Sequence, residues 1–241
     1  MMSSRLKVAF DALVAAVLLL VLLPLIVLVA VLIVLESPGP VFYRAKRVGY
    51  RGRDLWMLKF RKMHDGARGR ALTLADDERF TRVGAVLAKT KLDELPQLFH
   101  VLRGEMSFIG PRPEDPGFVA LHPESYEEIL SVRPGITGLS QLAFARESAI
   151  LQTADPIHHY TSQILPQKVA LDVLYARSRR FITDVQIGMW TLIAVLFRRE
   201  VAVCRASGRL SLRRRPVERE APIAAVAVGQ VNVEQVGVTS R

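Results

Sequence analysis

The sequence predicts an α+β fold that is mostly helical, with one small β-hairpin and an N-terminal helix that anchors it to a membrane. The anchor is indicated by an uncharged apolar run from Ala12 to Leu35. The hairpin is indicated by alternating apolar and polar residues beside a glycine-containing turn. The rest of the chain carries apolar residues at helical spacing, which predicts helices around these two elements.

The composition limits the class of protein. Half of the 241 residues are hydrophobic, and 33 Lys and Arg against 23 Asp and Glu give a net charge of +10. These values exclude a collagen-like or fully disordered chain. Cys204 is the single cysteine, so an internal disulfide is excluded as well. The excess of positive charge favours anionic partners.

The apolar run is long enough to cross the core of a bilayer as a helix. A signal peptide is disfavoured because no small-residue cleavage site comes after the run. Pro24 lies near its middle and predicts a kink. Basic residues flank both ends, and the positive-inside bias therefore favours a cytoplasmic location for both. A straight spanning helix and a helix–break–helix that enters and leaves by one face both stay open at this point.

A basic β-hairpin is expected after the anchor. The prolines and glycine of residues 37–40 end the helix, and residues 41–47 and 55–62 read as strands around a turn at 49–52. Alternation in the second strand predicts two faces, with Trp56, Leu58 and Phe60 on one and Met57, Lys59 and Arg61 on the other.

Helices are expected in most of the remaining chain. Apolar spacing predicts a helix over 79–103, with one face formed by Leu92, Leu95, Leu98, Phe99 and Leu102. Residues 109–116 are proline-rich and irregular. Further helices are predicted over 124–132, 163–180 and 181–197, the last being too short and too mixed for a second membrane span. The end of the chain, 205–241, is predicted to be a disordered basic and low-complexity tail.

Two adjacent carboxylates, Asp93 and Glu94, are the most informative chemical feature. Asp93 can cap a helix whose first turn contains Pro96, and acidic residues at a helix start stabilise it by about 0.3–1 kcal/mol. Taken alone, this ordinary capping role explains the pair well. In a basic chain, however, a carboxylate can also act as a nucleophile toward phosphorus if Arg, Lys or Mg²⁺ neutralises the phosphate.

The chain resembles the bacterial sugar transferases, the catalytic domain of the monotopic phosphoglycosyl transferases. Four segments carry the resemblance: SPGPVFYRAKRVGYRG (37–52), LKFRKM (58–63), DDERFTRVGAVLAKTKLDELPQLFHVLRGEMSFIGPRPE (76–114) and RPGITGLSQL (133–142). A looser match continues to Asp184, so that the resemblance covers about residues 5 to 200. The extra N-terminal multi-span region of larger members is not expected here.

The resemblance implies transfer of a sugar-1-phosphate from a UDP-sugar to undecaprenyl phosphate, with release of UMP. By analogy, Asp93 attacks the sugar-bearing phosphate and forms a covalent phosphosugar intermediate, which the lipid phosphate then attacks. Glu94 is implied either to bind Mg²⁺ or to assist proton transfer. Such a step would begin an exopolysaccharide, O-antigen, capsule or glycoprotein glycan.

The resemblance also implies the binding residues. Arg112, between Pro111 and Pro113, is expected to bind nucleotide phosphate, and Lys59 and Arg61 are further phosphate candidates. The family's anchor is a re-entrant helix kinked at proline, which matches Pro24.

Three parts of the chain are therefore expected: a re-entrant helix over 1–36, a catalytic domain over 37–204 on the cytoplasmic face of the bacterial inner membrane, and the tail over 205–241. The expected partners are the UDP-sugar, undecaprenyl phosphate and membrane lipid, with no nucleic acid; a homodimer is allowed.

The sequence departs from the family pattern at four positions. Ala45 stands where glutamine is common, Lys62 and Lys91 where serine is common, and Ser140 where tryptophan is common. These departures leave the donor sugar open. Two other functions compete with the enzyme: a membrane-anchored nucleic-acid-binding protein, which the net charge suggests, and a catalytically silent membrane scaffold for glycan enzymes.

Overall fold

A computed structural model describes residues 4–67, 72–74, 77–197 and 199–212. The helices are α1 Ser4–Glu36, α2 Arg82–Thr90, α3 Leu98–Leu102, α4 Pro116–Val119, α5 Pro123–Ile129, α6 Leu139–Ala143, α7 Glu147–Ile150, α8 Pro156–His159, α9 Leu165–Ser178 and α10 Phe181–Leu196. The strands are β1 Phe42–Val48, β2 Asp54–Phe60, β3 Ser107–Ile109, β4 Gly135–Thr137, β5 Val201–Val203 and β6 Leu210–Leu212. The predicted α+β class, mostly helical with a small hairpin, is confirmed.

The N-terminal helix α1 is long and apolar enough to cross a membrane, judged by its length and composition. Ala15, Ile26, Val29 and Ile33 are buried along one of its faces, whereas side chains on the opposite face, such as Leu20, are exposed. The helix continues through Pro24, so the kink at this residue stays a prediction.

The N-terminal end of α1 is fixed to the rest of the chain by two polar contacts. Lys7 forms an ion pair with Asp184 on α10. Asp11, which is buried, accepts a 2.6 Å hydrogen bond from the Ser107 hydroxyl on β3. Buried polar groups need partners of this kind. These bonds therefore hold the N-terminal end of α1 against α10 and β3.

The C-terminal end of α1 is fixed to the same unit. The Glu36 carboxylate accepts hydrogen bonds from the backbone N–H groups of Arg82 at 2.7 Å and Val83 at 2.9 Å. These N–H groups belong to the first turn of α2, which has no intrahelical acceptors for them. Both ends of α1 therefore contact the domain that begins after it.

The hairpin has the expected position but not the expected faces. Strands β1 and β2 pair antiparallel, from Phe42 opposite Phe60 to Val48 opposite Asp54. Met57 is buried, whereas Trp56 is 55% exposed, so the predicted faces are wrong at these two residues. The alternation correctly predicts a strand, but it does not reveal which side the core covers.

The helix predicted over 79–103 is divided into three pieces. Helix α2 ends at Thr90, and Lys91 takes a left-handed conformation with φ of 61°. A tight 3₁₀ turn over Leu92–Gln97 comes next and leads into α3. The Asp93 side chain does not cap this turn, because Lys91 holds the N-cap position without a side-chain bond. The break turns Asp93 inward, where it is buried.

Two glycines allow the strands β3 and β4 to meet. The strands pair in parallel, and the Gly110 N–H donates to the Thr137 carbonyl at 2.9 Å. A Cβ on Gly135 would lie 2.1 Å from the Gly110 nitrogen, so a side chain there would separate the backbones. This close approach of the two backbones fixes the position of residues 111–113, which follow β3 and Gly110.

The core of the C-terminal half lies around α9. One buried cluster joins α5 and α9 through Tyr126, Ile129, Tyr160, Ile164, Leu165 and Val169. A second joins α6, α9, α10 and β5 through Val132, Leu139, Leu142, Leu171, Tyr175, Ile187 and Val201. The helices predicted over 124–132, 163–180 and 181–197 are confirmed, with small shifts at their ends.

The predicted boundary between the catalytic domain and the disordered tail, at residue 205, lies too early in the sequence. Strands β5 and β6 pair antiparallel, from Val201 opposite Leu212 to Val203 opposite Leu210. The folded part of the chain therefore continues to Leu212, because β6 completes this hairpin. The rest of the predicted tail, 213–241, lies outside the described residues.

Two helical glycines give a matched test of packing. A Cβ on Gly84 in α2 would lie 1.9 Å from the Lys62 carbonyl oxygen, whereas a Cβ on Gly188 in α10 would meet its nearest neighbour at 3.9 Å. Alanine is the better helix former by about 1 kcal/mol, but overpacking costs about 1–3 kcal/mol. We expect Gly84→Ala to lower the free energy of unfolding and Gly188→Ala to raise it or leave it unchanged.

Chemical unfolding in detergent micelles measures both variants. Equal stability of Gly84→Ala and Gly188→Ala would contradict the close packing of α2 on the backbone just after β2.

Candidate active site

The break after α2 places Asp93 and Glu94 against the end of the hairpin. The 3₁₀ turn that carries them packs on β2, and Lys59 lies on that strand. Lys62 lies two residues beyond its end. Arg112 comes from the segment after β3. Two separate stretches of sequence, the end of the hairpin and the loop after β3, thus bring three cations to two adjacent carboxylates.

Glu94 is held by two of these cations. The Lys59 ammonium donates to its Oε1 at 3.1 Å, and the Arg112 guanidinium bonds both carboxylate oxygens, at 3.1 Å for Nη1 to Oε2. This fork geometry suits a carboxylate and gives strong, charge-assisted bonds. Burial alone would raise the pKa of Glu94, but the charges of Arg112 and Lys59 outweigh it and hold the pKa well below its ordinary value. Glu94 is therefore ionised.

For Lys59, burial outweighs the attraction of the opposite charge, so its charged form is disfavoured. Burial lowers the pKa of its ammonium to about 8, although the negative charge of Glu94 favours the protonated form. Burial disfavours a charged group because it removes water. Lys59 is thus a cation whose charge changes slightly above neutral pH.

Asp93 is more buried than Glu94 and has fewer partners. Its side chain is only 3% exposed, and its Oδ2 lies 3.3 Å from the Lys62 ammonium. Its Oδ1 is buried without a hydrogen-bond partner. A buried acceptor without a donor is unfavourable unless a ligand or water satisfies it. The site therefore contains one carboxylate oxygen that is oriented but not used within the protein.

A second polar cluster lies behind Arg112. Glu114 accepts a 2.7 Å hydrogen bond from the Tyr160 hydroxyl and lies 3.5 Å from the Lys168 ammonium. Lys168 also pairs with Glu147 at 2.9 Å. Tyr160 begins a π-helical turn before α9, a distortion that is common at functional sites. These contacts hold the segment on which Arg112 stands.

A comparison of whole sequences identifies the family of the chain. A model of the family described as bacterial sugar transferase matches residues 2–198. The chain belongs to this family.

Curated relatives of the chain extend the comparison. The chain is 39% identical over 206 residues to the undecaprenyl-phosphate glucose phosphotransferase of Komagataeibacter xylinus, covering 80% of this chain and 36% of that protein. It is 37% identical over 196 residues to the UDP-glucose:undecaprenyl-phosphate glucose-1-phosphate transferase of Caulobacter vibrioides, covering 79% of this chain and 69% of that protein. The exopolysaccharide production protein PSS of Rhizobium leguminosarum bv. phaseoli is 37% identical over 203 residues, with 80% and 96% covered. The chain thus spans little more than a third of the Komagataeibacter protein.

The structure brings together most of the site residues that the sequence predicts. Asp93, Glu94, Lys59 and Arg112 share one cluster. Pro111 and Pro113 flank Arg112 and are both buried. The Pro111 carbonyl accepts a 2.8 Å bond from the Gly135 N–H. The two prolines therefore fix the backbone of the loop, while the intervening arginine reaches Glu94.

Arg61 is placed apart from this cluster. Its guanidinium donates to the carbonyl oxygens of Ser37 and Pro38, both at 2.6 Å. These carbonyls come directly after α1, so Arg61 connects the end of α1 to the end of β2. Its expected role as a phosphate ligand has no support in this geometry.

Lys62 is a residue of the site that the sequence does not assign to it. Its ammonium faces Asp93, and its backbone carbonyl accepts from the Thr81 N–H at 3.1 Å. The sequence contains one signal for it, since lysine replaces the serine common at this position in similar chains. That signal alone does not show which residue the lysine contacts.

The adjacent carboxylates Asp93 and Glu94 fit a Mg²⁺ ion only in part. This ion commonly uses one or two protein carboxylates together with water and substrate phosphates. The buried Asp93 Oδ1, which has no donor, fits such a ligand. Both Glu94 oxygens already accept from cations, so Glu94 could bind metal only by releasing one of them. Within the described parts of the chain, no three His, Cys, Asp or Glu side chains form a metal-binding group.

Proposed function

We propose that this chain transfers a sugar-1-phosphate from a UDP-sugar to undecaprenyl phosphate and releases UMP. The observation that carries the proposal is the buried, unpartnered Oδ1 of Asp93, whose carboxylate faces Lys62 and adjoins Glu94, the partner of Lys59 and Arg112. The relatives support the substrates, because their names include undecaprenyl-phosphate glucose phosphotransferase and exopolysaccharide production protein. The pathway served would be the synthesis of an exopolysaccharide.

In the proposed first step, an Asp93 oxygen attacks the phosphorus that bears the sugar. A bond forms between this oxygen and phosphorus, and the bond to the bridging oxygen of the diphosphate breaks. UMP leaves with that oxygen and its electron pair, and the sugar phosphate stays on Asp93 as an acyl phosphate. Lys62 contributes by holding the other Asp93 oxygen, which orients the carboxylate.

In the second step, a phosphate oxygen of undecaprenyl phosphate attacks the same phosphorus. The bond from phosphorus to Asp93 breaks, the carboxylate is restored, and undecaprenyl-diphosphate-sugar is formed. Both substrates carry negative charge, and the cations of the site offset it as the phosphates approach. Arg112 suits the nucleotide phosphates because its planar fork can bind two oxygens at once.

We assign Glu94 the role of holding Lys59 and Arg112 in place. Its pKa lies well below the ordinary value, so it is a poor source of a proton near neutral pH. Mg²⁺ belongs to the proposal as an ion that the donor diphosphate would hold, with Glu94 as its protein ligand once it releases one of its cations. When bound, it would neutralise part of the diphosphate charge.

We further propose that α1 is re-entrant and leaves the bilayer on the cytoplasmic face where it entered. Asp11 near its start contacts Ser107, and Glu36 at its end contacts Arg82 and Val83. A helix that crossed the bilayer completely would separate these two contacts by the thickness of the membrane. The catalytic domain would then lie at the cytoplasmic surface of the inner membrane, where a polyprenyl phosphate can reach it.

The covalent step gives the first functional test. Asp93→Asn should reduce UMP release by on the order of 10³-fold or more, because the amide oxygen is a poor nucleophile. It should also leave no phosphosugar adduct on the protein in mass spectrometry. Asp54→Asn, an exposed carboxylate on β2 paired with Lys46, serves as the control and should keep both signals. A scaffold would instead tolerate Asp93→Asn without loss of glycan synthesis.

The charge of Lys59 gives a second test, in which UMP release is measured as a function of pH. UMP release should decline as the pH rises through about 8, where Lys59 loses its proton. Lys59→Arg stays charged and should shift this decline to higher pH. Unfolding does not explain such a decline, since a lysine pKa that is lower in the folded state adds stability as the pH rises from about 8. If the unsubstituted chain and Lys59→Arg show the same pH profile of UMP release, the charge on Lys59 does not contribute to the reaction.

The re-entrant helix gives a third test, by cysteine labelling in cells after Cys204→Ser. Cysteines at Ser4 and Arg44, before and after the apolar part of α1, should react with an impermeant maleimide only after the membrane is opened. Position 4 is informative because it precedes Lys7, whose ion pair with Asp184 ties the start of α1 to the domain. Labelling of position 4 in intact cells would show that α1 crosses the membrane.

A further inference from the structure

The polar cluster next to Arg112 contains a buried lysine that the proposed reaction does not use. The side chain of Lys168 on α9 is only 7% exposed, and its ammonium lies 2.9 Å from the Glu147 carboxylate and 3.5 Å from that of Glu114. It also donates to the Tyr160 hydroxyl at 2.9 Å. We call Glu114, Glu147, Tyr160 and Lys168 the rear cluster. A buried charge persists only where partners compensate for the lost water, so the members of this cluster depend on one another.

The rear cluster acts on Arg112 through charge. Burial would lower the pKa of the Arg112 guanidinium, but the charge of Glu94 raises it, and the charges of Glu147 and Glu114 raise it further. Lys168 is also close enough for its charge and that of Arg112 to repel each other. The guanidinium that forms the fork with Glu94 is therefore attracted by two further carboxylates, and Lys168 opposes that attraction.

Lys168 is the cation on which Glu114 chiefly depends. Burial would raise the pKa of Glu114, but the charge of Lys168 lowers it, followed by the Tyr160 hydroxyl and the charge of Arg47. The Arg47 guanidinium itself pairs with Asp115 at 2.8 Å. Arg47 is thus engaged elsewhere, whereas the Lys168 ammonium lies between the two carboxylates of the rear cluster.

Loss of the Lys168 charge would change the balance around Arg112. Glu114 and Glu147 would keep their negative charges without the ammonium that pairs with both. A buried ion pair that loses one partner leaves an uncompensated charge, which is strongly unfavourable. The long side chain of Arg112 would then be drawn from Glu94 toward these two carboxylates.

We propose that Lys168 is a positioning residue, which neutralises Glu114 and Glu147 so that Arg112 stays directed at Glu94 and available to the nucleotide phosphate. This inference rests on the proposed function, in which Arg112 binds that phosphate, and it identifies the group that keeps the arginine in place. Lys168 acts through Arg112 and needs no contact with either substrate.

Binding of UMP to the full chain in detergent micelles, measured by titration calorimetry, tests the proposal. UMP is common to every UDP-sugar, so the probe is independent of the donor sugar. Lys168→Met removes the charge and keeps an unbranched side chain. It should raise the Kd for UMP on the order of tenfold, a size typical of coupling between neighbouring charged groups. Lys46→Met removes an exposed lysine that pairs with Asp54 and should leave the Kd unchanged.

A compensating variant separates positioning from a merely structural role. Lys168→Met combined with Glu114→Gln and Glu147→Gln removes the ammonium and both carboxylates that compete for Arg112. Neutral replacement of a whole buried ion-pair group is often tolerated. The Kd for UMP should therefore return to within about threefold of that of the unsubstituted chain, the margin expected when the coupling is removed. If Lys168 only stabilises the fold, the triple variant binds UMP no better than Lys168→Met.

The outcomes distinguish this inference from the proposed function. If the unsubstituted chain does not bind UMP, both fail. If it binds UMP and Lys168→Met binds equally well, the positioning role is wrong while the proposed function stands. Should Lys168→Met not fold, the triple variant decides, since recovered binding supports the inference and a tenfold loss overturns it.

Discussion

The interaction on which the rest of the site depends is the contact of Glu94 with Lys59 and Arg112. It joins a strand of the hairpin, the 3₁₀ turn and the loop after β3, which are distant in sequence. Without the carboxylate, two half-buried cations would lie close together, and like charges that are partly removed from water repel more strongly than exposed ones. Glu94 therefore permits a concentration of positive charge that the protein could not otherwise maintain around Asp93.

The backbone supports this cluster by close approaches that exclude side chains. Gly84 lets α2 approach the Lys62 carbonyl, and Gly135 lets β4 approach Gly110. The first contact positions a lysine beside Asp93, and the second positions the loop that carries Arg112. The charged groups of the site thus lie on backbone whose placement is decided by packing, so that their geometry is established before any substrate binds.

The sequence predicts the features that depend on local pattern. The long apolar helix follows from an uninterrupted apolar run, and the hairpin, α9 and α10 follow from periodicity. The resemblance locates Asp93, Glu94 and Arg112. The exposed Trp56, the left-handed Lys91 and the parallel pairing of β3 with β4 are not predicted, because each is decided by contacts between distant parts of the chain. Lys62 and Arg61 show the same limit: a basic residue is evident in the sequence, but the group it contacts is not.

Arg61 also connects the membrane to the chemistry. It holds the two carbonyls at the end of α1 and stands next to Lys62 and two positions after Lys59. A change in the tilt of α1 is therefore transmitted to the end of β2 through a stiff, bidentate link. Bilayers of different thickness favour different helix tilts. If α1 lies in the bilayer as proposed, the lipid composition around it therefore acts on the geometry of the carboxylates through this link.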